Sequence, residues 1–266
     1  MSAQVRTIPF VKASACGNDF LLIDGALAPQ DVAAFTRRIC DRHDGVGADG
    51  VEWMLPHFFS DLEIRLINAD GSSAEISGNG TRCAAAYLCS QHGKERISIL
   101  TGAGVKLCHL IARRDSEYEF EIEMGQATSE PELALSLAGL EVRGIPVSTG
   151  NPHYVIFVPE FPSDWPARAA EIQRNAHFPQ GVNVELVVVD DRHNVRARFF
   201  ERGVGETQSS GTGSCASAMA AIVAGRADSS VKVHAPGGTQ TVRQERNTVF
   251  LRGPARLVCQ GEFFLS

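Results

Sequence analysis

One internal repeat limits the folds that this chain can adopt. The strings ASACGNDFLLID and VSTGNPHYVIFV share a Gly-Asn pair, and the strings SGNGTRC and SGTGSC share the pattern S-G-x-G. The same ungapped offset of 133 residues separates Asn18 from Asn151 and Ser77 from Ser210. An offset that is constant across separate motif pairs predicts a duplicated chain whose two copies fold alike.

The polarity pattern of each copy predicts both strands and helices. Alternating apolar and polar residues predict strands at 62–66, 117–124 and 195–199. The segments AAAYLCSQH and CASAMAAIVAGR, which follow the S-G-x-G strings, are rich in small apolar residues and are typical of helices buried on all sides. We therefore expect an α+β fold of two pseudo-symmetric halves, each a curled, mostly antiparallel sheet wrapped round a central helix.

The expected boundary lies in the least patterned stretch, residues 124–144. The halves are then residues 1–130 and 131–266, with the last strand of the chain assignable to either half. We expect one small-molecule site in the cleft between them.

The composition indicates which kinds of binding partner the protein has and in which cellular compartment it lies. Apolar residues make up 44% and charged residues 21% of the 266 residues, which is typical of a soluble globular protein. The net charge of −6 and the lack of a basic run disfavour nucleic acid and anionic membranes as partners. No apolar stretch reaches transmembrane length, and no apolar run near the start resembles a signal peptide. Seven cysteines, an odd number without paired metal-ligand spacing, favour free thiols in the cytoplasm and no metal site.

The S-G-x-G strings predict anion sites at helix starts. A helix start directs backbone N–H groups and the positive end of the helix dipole outward, and both suit a carboxylate. A serine before a glycine can also be a simple N-cap, and Asn18 and Asn151 can be turn residues. Because both copies carry the same glycine placement, we favour one shared ligand site.

Six strings of this sequence resemble the motif set of the diaminopimelate epimerases, and they occur in that family's order. They are CGNDF, RHDGVGADG, NADGSSAEISGNGTRC, TGNPH, FPQGVNVE and ERGVGETQSSGTGSC. The resemblance implies a cofactor-independent isomerase that converts LL- to meso-diaminopimelate, a precursor of lysine and of the cell wall. It also implies a homodimer, although the last strand carries Cys259 where those dimers often have an aromatic residue.

The resemblance assigns expected roles to matching positions of this sequence. It implies backbone donors for the reacting carboxylate at Gly78-Asn79 and Gly211-Thr212, and it implies that His153 and Glu201 tune the acid–base groups. The substrate-contacting positions that it implies are Asn18, Asn68, Asn151, Asn183, Glu201 and Arg202.

Ser77 and Ser210 depart from the family pattern, because the family has its two catalytic cysteines there. A serine hydroxyl is a much weaker acid than a thiol and needs an adjacent base. The later Cys83 and Cys215 are expected to face the core and not to substitute. Three interpretations stay open: an epimerase crippled by two Cys-to-Ser replacements, a relative that runs another isomerisation or elimination with His153 or Glu201 as base, and a non-catalytic amino-acid-binding protein.

Overall fold

The structure, a computed structural model, describes residues 6–137 and 140–265. The expected α+β fold is confirmed. Four α-helices are present in the described residues: α1 (Val32–Cys40), α2 (Gly78–His92), α3 (Trp165–Gln173) and α4 (Gly211–Val223), besides a short 3₁₀ turn over Gly25–Leu27. None of the helices in these ranges is long and apolar enough to span a membrane.

The strands divide between two compact units. Of the described residues, those up to 122 and those from 253 onward form the first unit, and those from 123 to 252 form the second. The first nine strands are β1 (Thr7–Ala15), β2 (Asn18–Asp24), β3 (Gly50–Leu55), β4 (Leu62–Asn68), β5 (Ser73–Ala74), β6 (Arg96–Thr101), β7 (Gly104–Arg114), β8 (Glu117–Gln126) and β9 (Thr128–Ser129). The others are β10 (Leu133–Leu137), β11 (Leu140–Ser148), β12 (Pro152–Phe157), β13 (Asn183–Val189), β14 (Asn194–Glu201), β15 (Gly205–Thr207), β16 (Ser230–Ala235), β17 (Gly238–Glu245) and β18 (Thr248–Phe264).

Strand pairing in the first unit is mostly antiparallel. Strands β1 and β2, β3 and β4, β6 and β7, and β7 and β8 pair antiparallel, whereas β2 with β3 and β4 with β6 are parallel. The C-terminal part of β18 pairs antiparallel with β1. Helix α2 packs against strands from distant parts of this sheet, β1, β2, β6 and β7, and is therefore the central helix of a curled sheet.

The second unit repeats these connections at the offset seen in the sequence. Strands β12 and β13 are parallel, as are β14 and β16, and the register pair His153–Asn183 stands where the first unit has Phe20–Gly50. Helix α4 packs against β11, β12, β16 and β17 in the way that α2 packs in the first unit. The duplication therefore extends from the motifs to the strand register.

The central helices owe their burial to small side chains. Cys83 and Cys215 are both fully buried, so the expectation that they face the core is confirmed. Strand β8 alternates buried and partly exposed residues along most of its length, as the sequence predicted. Each unit has a further apolar core under its outer helix, α1 in the first unit and α3 in the second.

Candidate functional site

Both S-G-x-G strings form the starts of the central helices. Ser77 is the N-cap of α2 and Ser210 is the N-cap of α4. The Ser77 Oγ accepts the N–H of Gly80 at 3.1 Å, and the Ser210 Oγ accepts the N–H of Gly213 at 3.1 Å. Each hydroxyl therefore lies at the positive end of a helix dipole, where an anion is stabilised. The N-cap interpretation and the ligand interpretation of these serines are compatible.

The second glycine of each string makes room for a buried glutamate. A Cβ added at Gly80 would overlap the carboxylate of Glu52, and a Cβ added at Gly213 would lie 3.0 Å from the carboxylate of Glu185. Both glutamates occupy equivalent positions in their units and are almost completely buried, at 0% and 1% exposure. No sequence motif assigned a function to these two glutamates, although acidic residues within the apolar strands β3 and β13 were an available signal.

Glu52 and Glu185 differ in their hydrogen bonding. Among the described residues, neither carboxylate oxygen of Glu52 has a hydrogen-bond partner, and burial raises the pKa of this residue to about 8. Glu185 Oε1 lies 2.7 Å from His153 Nδ1. Burial raises the pKa of Glu185, and the neighbouring His153 opposes that change. Burial thus raises the pKa of the carboxyl group beside the start of each central helix.

In the first unit, hydrogen bonds bring together Asn18 and Asn79 of the expected ligand positions. The Asn79 Nδ2 donates to Asn18 Oδ1 at 2.7 Å, and the Asn18 Nδ2 donates to Asp49 Oδ2 at 3.0 Å. Arg82 donates to Asn79 Oδ1. Asn68 is separate from this chain of bonds and donates to Ser72 Oγ at 3.0 Å.

The second unit has an equivalent pair in Asn151 and Thr212. The Asn151 Nδ2 donates to Thr212 Oγ1 at 3.4 Å, and these residues are 61 positions apart, as are Asn18 and Asn79. The Asn151 Oδ1 lies 2.9 Å from His153 Nε2 and accepts from the hydroxyl of Thr149 at 3.1 Å. His153 therefore bridges a buried carboxyl group and an expected ligand-contacting amide.

Glu201 contacts the helix start of the second unit. Its carboxylate accepts a hydrogen bond from the Ser210 hydroxyl and another from Thr207 Oγ1 at 3.2 Å. Burial raises the pKa of Glu201, and the two hydroxyls oppose that change. A carboxylate that accepts from a serine hydroxyl is placed to act as a base towards it.

Asn183 and Arg202 form the last group of expected ligand residues. The Asn183 Oδ1 accepts the backbone N–H of Arg202 at 2.8 Å, and its Nδ2 donates to the carbonyl of Pro152 at 3.0 Å. The exposed Arg202 side chain donates to the carbonyl of Gln180 at 3.0 Å. A guanidinium has five N–H donors, so this bond leaves it able to bind a carboxylate.

The geometry limits the chemistry of each helix start. A hydroxyl at position 77 or 210 is a poor proton-transfer group, whereas a thiol there would have its pKa lowered by the helix dipole. Cys83 and Cys215 are both buried within the central helices, and burial raises the pKa of Cys83 well above its ordinary value. They are therefore not substitutes for the residues at the helix starts.

Comparisons with known proteins agree with this organisation. The family model described as diaminopimelate epimerase matches residues 10–129 and 145–258. The diaminopimelate epimerase of Desulfitobacterium hafniense is 35% identical over 94% of this chain and 96% of its own length. The enzyme of that name from Rhizorhabdus wittichii is 37% identical over 99% of this chain and 97% of its own length.

Solved structures support the fold. A hydroxyproline epimerase from Agrobacterium vitis matches with a TM-score of 0.74 at 16% identity, over 100% of this chain and 93% of that one. A PhzF-family phenazine biosynthesis protein from Bacillus anthracis matches with a TM-score of 0.72 at 17% identity, over 98% of this chain and 100% of that one. With the family model and the full-length relatives, these matches show that the chain belongs to the diaminopimelate epimerase family of isomerases.

Proposed function

We propose that this chain acts on diaminopimelate and inverts one α-carbon, from the LL to the meso isomer, without a cofactor. The observation that carries the proposal is the pair of equivalent helix starts, each with a side-chain oxygen that accepts a backbone N–H at 3.1 Å. Inversion needs one proton-transfer atom on each face of the α-carbon. In this proposal positions 77 and 210 supply those two atoms.

The binding groups have complementary roles in this proposal. The backbone N–H groups of Gly78-Asn79 and Gly211-Thr212 hold the reacting carboxylate at the helix starts. Asn68, Asn183 and Arg202 hold the distal amino-acid end, where the guanidinium pairs with a carboxylate. The amides of Asn18 and Asn151 contact the substrate, and Glu201 and His153 tune the acid–base groups.

The two serines lower the expected rate. Loss of one positioned acid–base group costs about 10²- to 10⁴-fold, and two such groups are altered here. The chain as written is therefore a poor epimerase that retains its binding residues. This follows from the weak acidity of a hydroxyl, whatever the origin of the serines.

A second candidate function follows from the contact between Ser210 and Glu201. A partly buried carboxylate with a raised pKa next to a hydroxyl can serve as the base of a one-base isomerisation or elimination. This interpretation predicts activity on an unsaturated or hydroxylated amino acid. It also predicts that such activity needs Glu201 and not a thiol.

The proposal also includes the oligomeric state of the protein and its cellular compartment. All seven cysteines are free, six of them buried, which supports the reducing cytoplasm as the compartment. The resemblance to the family supports a homodimer. Light scattering coupled to size exclusion would test this, and a monomer at micromolar concentration would contradict it.

Calorimetry and NMR together test the main proposal. LL- and meso-diaminopimelate are titrated separately into the protein, and loss of the α-hydrogen signal is followed in deuterium oxide. Binding with very slow exchange is the expected result. Absence of binding of both isomers at millimolar concentration would contradict the assignment of diaminopimelate, and fast inversion would contradict the expected effect of the serines.

A further inference from the structure

A cavity of about 450 Å³ lies where the β7–β8 hairpin meets β1 and β18, and we call it the hairpin cavity. Strands β1 and β8 both pair with β18, and the N–H of Leu257 donates to the carbonyl of Ser116 at 3.0 Å. The cavity therefore lies within the first unit, between strands that are joined by backbone hydrogen bonds. Its volume is in the range of small-molecule sites, about 300–1,000 Å³. Its floor, the buried part of the lining, consists of Ala15, Cys16, Tyr118 and Ala255.

The charged residues of the hairpin cavity carry an excess of positive charge. They are Arg113, Arg114 and Arg256 against Glu117 and Glu119. Arg114 stands opposite Glu117 in the hairpin register, but among the described residues neither forms an ion pair, and Arg256 also forms none. The chain as a whole has a net charge of −6, so this local excess of unpaired cations is unusual for it. Such a cavity attracts an anion.

Tyr118 places a hydrogen-bonding group at the floor of the cavity. It is 3% exposed, and the Arg113 guanidinium lies 5.2 Å from the centre of its ring. Among the described residues, the Tyr118 hydroxyl forms no hydrogen bond. A buried hydroxyl normally has a hydrogen-bond partner, so an acceptor in the cavity would satisfy this one.

We propose that the hairpin cavity is a second binding site, for a small organic carboxylate with an apolar or aromatic body. The carboxylate pairs with the guanidinium groups of Arg114 and Arg256 and accepts the hydroxyl of Tyr118. The body of the ligand packs against the methyl groups of Ala15 and Ala255.

The lining favours an organic carboxylate over a bare anion. A guanidinium binds a planar carboxylate through two parallel N–H···O bonds. The alanine methyl groups and the Tyr118 ring offer apolar contact, which inorganic phosphate cannot use. The lining residues differ from the groups proposed to bind diaminopimelate, so this site can be tested independently of the proposed function.

Benzoate and benzamide test the site, because they share a ring and differ in charge. In ¹⁵N–¹H spectra, benzoate at millimolar concentration should move the backbone signals of Ala15, Tyr118 and Ala255. Benzamide should need about tenfold higher concentration for the same shifts, since it lacks the charge that the guanidinium groups recognise. Equal binding of both compounds, no shift with benzoate, or shifts confined to the helix starts at Ser77 and Ser210 would overturn the proposal.

The double change Arg114→Gln with Arg256→Gln removes two charged donors from the cavity. It should weaken benzoate binding, followed at the same three backbone signals, about tenfold or more. The matched control is Arg65→Gln, at an exposed arginine of the same unit that pairs with Glu63. This control should bind benzoate as the parent does. A double variant that binds benzoate as tightly as the parent would overturn the proposal.

Tyr118→Phe and inorganic phosphate test the remaining parts of the site. Tyr118→Phe keeps the ring and removes the donor, so benzoate should bind about threefold more weakly or worse. Unchanged binding would overturn the role of the Tyr118 hydroxyl. Inorganic phosphate should move the three backbone signals less than benzoate does at equal concentration. Phosphate binding as tight as that of benzoate would overturn the assignment of an organic carboxylate.

Discussion

The Ser210 hydroxyl donates a hydrogen bond to the Glu201 carboxylate. The position that corresponds to Glu201 in the first unit is Asn68, whose amide cannot accept a proton at neutral pH. Ser77 therefore lacks, at this equivalent position, the base that Ser210 has. The duplication preserves the helix starts but not the groups that could activate their hydroxyls.

This difference predicts one-sided exchange in the parent protein. We expect slow replacement of one α-hydrogen of diaminopimelate by deuterium, with retention of configuration, because Ser210 has the carboxylate of Glu201 as an acceptor, whereas the equivalent position beside Ser77 is Asn68. Glu201→Gln should lower this exchange about 10²-fold or more, as expected for a lost acid–base group. Exchange is followed by NMR, and the exposed Glu206 supplies the control Glu206→Gln. Undiminished exchange in Glu201→Gln protein that still binds ligand would refute this prediction.

Glu52 should make stability depend on pH. Its pKa is raised by burial to about 8, so the folded protein favours the protonated form. The stabilisation from this group is full below its ordinary pKa of 4.5 and is lost as the pH rises through about 8. Glu52→Gln removes this dependence, so the melting temperature of the variant relative to the parent should rise from pH 5 to pH 9. A constant difference across that range would contradict the raised pKa, and Glu63→Gln, at a half-buried glutamate paired with Arg65, is the control.

Gly80 should tolerate a methyl group only if Glu52 is removed. A Cβ at position 80 would overlap the Glu52 carboxylate, so Gly80→Ala should destabilise the protein by about 1–3 kcal/mol, as overpacking does. In the background of Glu52→Ala, which opens space there, the same change should cost much less. Urea denaturation of the four proteins of this double-mutant cycle measures the coupling. Additive effects would show that the two residues do not compete for space.

Arg202 should contribute a large part of ligand affinity. Arg202→Ala removes a charged donor group, and hydrogen bonds to charged groups contribute about 1.5–3 kcal/mol. We therefore expect at least tenfold weaker binding of diaminopimelate and a smaller ligand-induced rise in melting temperature. Arg168→Ala, at an exposed arginine paired with Asp164, is the control. If the ligand raises the melting temperature of Arg202→Ala as much as that of the parent, Arg202 does not contribute to ligand binding.

The sequence predicted what depends on local pattern and on the repeat. Both helix starts, the buried central helices and the alternation of β8 follow from short stretches of sequence. The hydrogen bonds that link Arg82 to Asp49 through Asn79 and Asn18 could not be predicted from the sequence. They join side chains that are far apart in the sequence, and no periodic pattern of residues indicates them. Arg82 itself bonds to Pro254, 172 positions away.

The buried glutamates show a second limit. The repeat aligned Glu52 with Glu185, but the alignment could not show that only Glu185 has a histidine partner. The residue equivalent to His153 is Phe20, which is buried and cannot hydrogen-bond with Glu52 through its side chain. Equivalent positions in a duplicated chain therefore share backbone geometry more reliably than they share chemistry.

The double change Ser77→Cys with Ser210→Cys should confer diaminopimelate epimerisation. Each position is the N-cap of a buried helix, where the dipole and a donated backbone N–H stabilise a thiolate. The binding groups proposed for the carboxylates and amines are already present, so only the proton-transfer atoms change. We expect a gain of at least 10²-fold in α-hydrogen exchange together with inversion of configuration.

The single changes separate the two helix starts. Each single cysteine variant should exchange the α-hydrogen from one face while full inversion stays slow, because the other face still has a hydroxyl. NMR in deuterium oxide measures exchange and stereochemistry for both single variants and the double variant, and alkylation with iodoacetamide confirms that the new thiols react. The unchanged Cys83 and Cys215, both fully buried, should not react in folded protein. Suppose that the folded double variant binds diaminopimelate but neither exchanges its α-hydrogen nor inverts its configuration. Positions 77 and 210 would then not transfer protons at the same α-carbon.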